Sequence, residues 1–273
     1  MSLWRKSRLL QNRVVYKLKK TIFALLKGKK LQHLPSEETQ RAKVIKLLKI
    51  IQLYGIEPGA DLASLVYKSR AQLGQDLWIA VASTVKRNGT FLEIGGADGF
   101  TISNTYLLEK ELDWTGVLVE PALVYREELR KNRECLIDFR CCSSKSGQKV
   151  EFLETLSPEY STINEYRFSD THADDRIRGV KHYLVETVSL NDIFEKYFPS
   201  GLVDYISIDT EGSEEDILQS FNFEKYSFRF LSVENAFNKE KSERISKMLI
   251  PKGFKKVLQE CSEFDDFYEK SAN

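Results

Sequence analysis

Residues 90–99, Thr-Phe-Leu-Glu-Ile-Gly-Gly-Ala-Asp-Gly, constrain this chain more than any other segment. A short apolar run ends in a carboxylate, Glu93, and then breaks into Gly95, Gly96 and Gly99 around Ala97 and Asp98. Such a pattern turns a buried parallel strand sharply into a helix beneath a nucleotide-like ligand. Glycine lets the backbone come close, and the turn leaves amide N–H groups pointing outward. The spacing is Glu-x-Gly-x-x-x-Gly, not the Gly-x-Gly-x-x-Gly of dinucleotide binders. An acid ahead of the first glycine repels a pyrophosphate. It suits a cationic ligand such as S-adenosylmethionine, whose ammonium needs an acceptor.

From residue 90 onward strands and helices alternate, which predicts an α/β fold with a mostly parallel sheet covered on both faces. Strands are expected at about 90–94, 116–120, 135–141, 203–208 and 229–234. Helices are expected at about 102–111, 122–132, 190–197, 213–220 and 240–249, with a further helix at about 76–86. Two strand-like runs after Gly253 predict a closing antiparallel hairpin. Residues 143–188 read as an irregular, polar insertion; in a doubly wound sheet such an insertion covers the ligand crevice. Domain organisation follows: a helical extension over 1–70 and one α/β domain over 71–273.

Residues 1–30 carry ten Lys or Arg and no Asp or Glu, leaving 31 basic against 40 acidic residues in the remainder, a net of −9. Leu10, Val14, Leu18, Ile22 and Leu26 recur every four residues there, which makes a basic amphipathic helix. It has two readings: docking on an anionic membrane face, or packing on the main domain or a second subunit of a homo-oligomer. Nothing supports nucleic acid as a partner, since no aromatic interleaving accompanies the cations. Ser36 reads as the cap of a helix that runs to about Tyr54 and is closed by Gly55, with a Pro58-Gly59 loop beyond it. No apolar run reaches the roughly 18–20 residues of a membrane span, and no signal peptide is expected. Cys135, Cys141, Cys142 and Cys261 lack metal-type spacing and read as reduced thiols in a cytoplasmic setting.

Three acidic sites fall at strand ends. Glu120, about twenty residues beyond the glycine loop and followed by Pro121, is placed to take two ribose hydroxyls. Asp209 and Glu211 close the fourth strand, and Glu234-Asn235 closes its neighbour. Carboxylates so grouped raise one another's pKa or jointly hold a cation. Glu214 and Glu215 read as first-turn acids of the next helix. Of three histidines, His33 lies in the basic segment, while His172 and His182 fall in the insertion, within reach of a general-base role.

Phe91–Gly99, Ser103-Asn104-Thr105, Trp114–Pro121, Asn132-Arg133, Ile208–Glu214 and Phe264–Tyr268, with Gln75-Asp76 upstream, resemble the FkbM-type methyltransferases over about residues 70–270. The resemblance implies a class I Rossmann-like fold with a seven-stranded sheet, S-adenosylmethionine as donor, and O-methylation, in many relatives of sugar hydroxyls in glycans or polysaccharides. It implies that Glu93, Gly95, Asp98 and Gly99 line the methionine end, with Gln75, Asp76, Gly96 and Pro121 in the same cofactor set. Ser103 and Asn104 would begin the helix beneath it, Glu120 would hold the ribose, and Cys142 and Ser143 would lie near adenine. Asp209 and Glu211 would face the methyl group and the acceptor. Gly96 stands where relatives often carry Ala, a change expected to loosen the turn.

The expected reaction is in-line transfer of methyl to a sugar hydroxyl, with Asp209 as proton acceptor, supported by Glu211, and His182 or His172 as alternative bases. A divalent cation (Mg or Mn) on Asp209, Glu211 and Glu234 is the alternative way to activate the hydroxyl. Tyr160, Tyr166, Phe168, Arg176 and Arg178 are candidates to meet the sugar. Rival readings are a small natural product as acceptor, a nicotinamide-dependent dehydrogenase, and a non-catalytic cofactor- or glycan-binding module. An acceptor assembled on a lipid carrier would place the first helix at the inner membrane face.

Overall fold

The computed structural model describes residues 37–55, 60–169, 173–174, 176, 180–260 and 262–271. The basic helix of residues 1–30, His33, Ser36, the Pro58-Gly59 loop, His172, Arg178 and Cys261 lie outside the described residues.

The strands, in chain order, are β1 (Thr90–Ile94), β2 (Thr115–Val119), β3 (Leu136–Asp138), β4 (Cys141–Ser143), β5 (Lys149–Glu154), β6 (Thr162–Ile163), β7 (Lys181–Ser189), β8 (Leu202–Ile208), β9 (Ser227–Glu234), β10 (Phe254–Val257) and β11 (Asp265–Lys270). The helices are α1 (Glu37–Tyr54), α2 (Ala60–Leu65), α3 (Gln75–Ala82), α4 (Tyr106–Leu112), α5 (Arg126–Asn132), α6 (Leu190–Tyr197), α7 (Glu214–Gln219) and α8 (Lys239–Leu249). Seven strands form one sheet in the order β10-β11-β9-β8-β1-β2-β3. Its pairings are parallel except at β11, which runs antiparallel to both β9 and β10. This is the fold class the sequence predicts, closing hairpin included.

Period-2 alternation assigns each strand residue to one of two cores. Phe91, Tyr205, Phe230 and Phe267 face Leu47, Ile50 and Ile51 of α1, Leu77 and Trp78 of α3, and Leu107 and Leu108 of α4. Leu92, Ile94, Ile206, Ile208, Leu231 and Val233 face Ile193 and Phe194 of α6, Ile217 and Leu218 of α7, and Ile245 and Leu249 of α8. Because both faces are covered, β1 reads as a nearly continuous apolar run. Trp78 meets Tyr205, Phe230 and Phe267 edge-on at 6.3, 5.6 and 5.2 Å. Its indole N–H donates to Tyr54 Oη at 2.9 Å, so α1 is tied to the same core as the sheet.

The segment 143–188, expected to be irregular, contributes strands at Lys149–Glu154, Thr162–Ile163 and Lys181–Ser189. β4, β7, β5 and β6 form a second sheet in that order, with Ala122, Cys141, Phe152, Ile163 and Val185 packed together on one side. Its strands interleave Lys149, Glu151, Lys181, His182 and Glu186 with apolar residues, so the apolar signal is diluted to one face. The predicted strand 135–141 also divides. Asp138 accepts from Arg140 N and Arg140 Nε at 3.1 and 2.9 Å, which turns the chain out of the main sheet and starts β4 beside β7. Helix α4 begins four residues later than predicted, because Ser103, Asn104 and Thr105 are held by Glu93 instead. Among the described residues no helix is long and apolar enough to cross a membrane.

Candidate active site

The site lies at the carboxyl ends of β1, β2, β8 and β9, where a doubly wound sheet leaves its crevice. β1 runs into Gly95 at φ +80°, where a Cβ would stand 1.6 Å from the Asp209 carbonyl oxygen. Only glycine permits that approach. Asp209 N–H in turn donates to Ile94 O at 3.0 Å. Gly99, at φ +73°, has the Arg133 side chain 2.7 Å from where its Cβ would be. Gly96 corrects an expectation: a Cβ there would lie 2.6 Å from Leu118 Cγ, so glycine lets the loop sit down on β2 rather than loosening the turn. Asp98 accepts from Phe100 N and Thr101 N at 2.8 and 2.7 Å, closing the turn from within.

Glu93 does not line the cleft. Its buried carboxylate accepts from Ser103 Oγ at 2.9 Å, Asn104 N at 2.6 Å and Thr105 Oγ1, and pairs with the buried Arg133 at 3.2 Å. Its acceptor capacity is spent on the chain itself, which leaves nothing for an ammonium. The Glu93–Arg133 pair therefore braces the glycine loop from behind, with Ser103 and Asn104 as part of that brace. Gln75 and Asp76 are likewise structural. Asp76 is fully buried and gathers Ser69 Oγ, Arg70 N and Leu77 N at 2.8, 3.0 and 2.7 Å. Gln75 spans Leu73 N and Asp265 at 2.9 and 2.7 Å.

The second wall begins at Glu120. Its carboxylate accepts from Ala97 N at 3.0 Å and Ala122 N at 2.8 Å. Burial pushes its pKa up to about 7, against the lowering effect of those two N–H groups. Two of about four lone-pair positions remain for a diol. Beyond it Pro121, Cys141, Cys142, Phe152 and Ile163 make an apolar slot. Ser143 pairs with Ser189 in the small sheet and is not among the lining residues. This part of the cleft is narrow, a cavity of ≈ 60 Å³, and it opens into a wider space of ≈ 480 Å³.

The far end holds the carboxylates. Oxygens of Asp209, Glu211 and Glu234 all lie within 4.8 Å of one another. Glu211, at φ +59°, pairs with the buried Arg176 at 2.7 Å. Arg176 also donates from Nε to Tyr160 O at 2.8 Å, fastening the insertion over the site. Burial raises the pKa of Asp209 well above the usual carboxylate range, with Asp265 and Glu214 adding to it. Glu234 rises for the same reason, with Asp209 next in weight. Glu214 does more than the first-turn role expected of it: it accepts from Thr210 N and Gly212 N at 2.9 and 3.1 Å and pairs with Lys241 at 2.6 Å.

A wider mouth opens past the carboxylates. Ala97, Ile102, Tyr125, Glu159, Asp209 and Glu211 line both parts, so the two are continuous. Gln72, Tyr160, Phe237 and Phe264 line the mouth alone. Sequence reasoning missed Gln72, Ile102, Tyr125, Glu159 and Phe237, which sit in loops or, for Tyr125 and Glu159, in single 3-10 turns where no spacing marks them. His182 stands apart: it pairs with Leu153 across the small sheet, its Nδ1 is 2.9 Å from Glu151, and it lines neither part of the cleft. Tyr166 is bonded to Asp216 and Phe168 lies exposed, so neither faces the mouth.

A mostly parallel seven-stranded sheet with a reversed penultimate strand, and this crevice at its carboxyl edge, define a class I, Rossmann-like methyltransferase. The family model described as the methyltransferase FkbM domain matches residues 93–268, and the chain belongs to that family. A comparison with curated proteins returned no match. Among solved structures, the METTL16 methyltransferase domain is 10% identical over 88% of this chain and 84% of its own, with a TM-score of 0.42. Fibrillarin, a pre-rRNA processing protein of Methanococcus jannaschii, is 14% identical over 68% and 69%, with a TM-score of 0.34. Precorrin-6y C5,15-methyltransferase from Geobacter metallireducens GS-15 is 9% identical over 70% and 85%, with a TM-score of 0.35. The family implies S-adenosylmethionine as donor. The residues present fit it: a loop stripped of Cβ atoms at Gly95, a buried carboxylate with free lone pairs at Glu120, and an apolar slot for a base.

Proposed function

We propose that the protein transfers a methyl group from S-adenosylmethionine to a hydroxyl of a sugar in a glycan or polysaccharide. One observation carries this reading: a slot with the features of a nucleoside seat opens directly onto three clustered carboxylates. Glu120 takes the ribose hydroxyls, and Pro121, Cys142, Phe152 and Ile163 hold the adenine. Bound there, the donor supplies an electrophilic methyl on a sulfonium, which becomes a thioether as the acceptor oxygen gains the methyl.

The acceptor hydroxyl must lose its proton, and Asp209 is placed to receive it, with Glu211 held beside it by Arg176. A raised carboxylate pKa brings such a group nearer to the operating pH of a base. The acceptor's chemistry follows from the lining. Among the described residues that form the two parts of the cleft there is no Lys, Arg or His, while Asp98, Glu159, Asp209, Glu211 and Glu234 are present. That repels the phosphates of a nucleic acid. Tyr125, Tyr160, Phe237 and Phe264 supply the aromatic faces on which a neutral sugar packs.

Calorimetric titration with S-adenosylhomocysteine tests the donor seat, and labelled methyl transfer to a panel of neutral and anionic glycans tests the acceptor. Asp209→Asn is expected to keep product binding within about threefold while turnover falls by roughly 10²–10⁴. Unchanged turnover in that variant removes Asp209 from the chemistry.

A further inference from the structure

The structure assigns a divalent-cation site to Asp209, Glu211 and Glu234, at the junction between the slot and the mouth. The donor set is oxygen only, which selects a hard cation such as Mg²⁺, Mn²⁺ or Ca²⁺ over a softer metal. The scale is right. Ligands on opposite sides of Mg²⁺ stand about 4 Å apart and those of Ca²⁺ about 5 Å apart, and the three carboxylates already offer oxygens within 4.8 Å of one another. No rearrangement of the strands is needed to close them on one ion.

A second, independent observation points the same way. Glu234 is more than nine-tenths buried, lines the mouth, and its Oε2 has no hydrogen-bond partner. A carboxylate oxygen kept from water and left without a donor is costly, and native chains rarely keep one without a use. Among the described residues the neighbouring cations are already paired. Lys241 is paired with Glu214 at 2.6 Å, Lys256 with Asp266 at 2.7 Å, and Arg176 with Glu211 at 2.7 Å. Glu211 is held by Arg176, whereas Glu234 Oε2 accepts no hydrogen bond. Asn235 is not a ligand, since its amide is held between Asp266 and Phe237 N. A cation here would polarise an acceptor hydroxyl entering from the mouth. The ion's part in the reaction rests on the methyl-transfer reading above, but its binding does not.

The test uses the full chain, stripped with chelator and titrated with Mn²⁺ alone, following the loss of the free-ion electron paramagnetic resonance signal. One Mn²⁺ per chain is expected, displaced by Mg²⁺ or Ca²⁺. Glu234→Gln is expected to weaken uptake by about tenfold or more, and Asp209→Asn to do the same. In parallel, S-adenosylhomocysteine is titrated in the presence of chelator. Absence of Mn²⁺ uptake by the wild-type protein at millimolar concentration, or uptake that both variants leave intact, overturns the cation site. Failure of S-adenosylhomocysteine to bind with or without the ion overturns the methyl-transfer reading instead, so the two failures are distinct.

Discussion

Glu120 shows how one buried carboxylate sets the terms of donor binding. Ribose hydroxyls donate, so they need the ionised form, and burial has moved its pKa up to about 7. Below that value the proton must be removed before the diol is held. The affinity for S-adenosylhomocysteine is therefore expected to fall about tenfold per pH unit on the acid side of about 7 and to level off above it. Calorimetry across pH 5–8 checks this, and Glu120→Gln should give a weaker but flat profile; a sloping profile in the variant would assign the pH dependence to another group. Glu93 is the opposite case. From the sequence it has the look of a ligand, because an acid before a glycine loop is also what a cationic cofactor calls for. The fold decides otherwise by putting Arg133, forty positions away, against it. No local spacing conveys that pairing. The Asp209, Glu211 and Glu234 grouping, by contrast, is readable, since all three follow strand residues and strand ends in such a sheet converge.

At the level of elements, the parallel strands were legible because burial on both faces leaves uninterrupted apolar runs. The small sheet was not, because one wet face scatters charges through β5 and β7. Helix α1 presents a third situation. Ser36 and Gly55 mark its ends in the sequence, but nothing local says that it shares a core with the sheet. The joint is Trp78, ringed by Tyr205, Phe230 and Phe267 and bonded to Tyr54. Trp78→Ala is expected to destabilise the protein by about 3–5 kcal/mol, read as a lower midpoint in urea. Trp78→Phe should recover most of that packing while still losing the bond to Tyr54. If the alanine variant costs less than about 1 kcal/mol, α1 and α3 are not fastened to the sheet in this way.

Taken whole, the chain carries its charges unevenly: ten cations and no acids in the first 30 residues, and a net of −9 beyond them. The basic segment lies outside the described residues, so its role is a proposal from sequence. Should it dock on a membrane face, the full chain will co-sediment with vesicles containing anionic lipid, and protein lacking residues 1–30 will stay in solution. Equal behaviour of the two leaves packing against the chain itself or a second subunit as its role.

The contact of Gly95 with the Asp209 carbonyl has one more consequence. Because no side chain separates them, the donor loop and the acid strand are joined backbone to backbone. The described residues between 155 and 180 meet that joint through the Thr162 and Ser169 hydroxyls, which donate to the Glu211 carbonyl, and through Arg176 on the Glu211 carboxylate. Descent with modification can thus rewrite the overhang to suit another recipient while the alkylating hinge beneath it stays as it is.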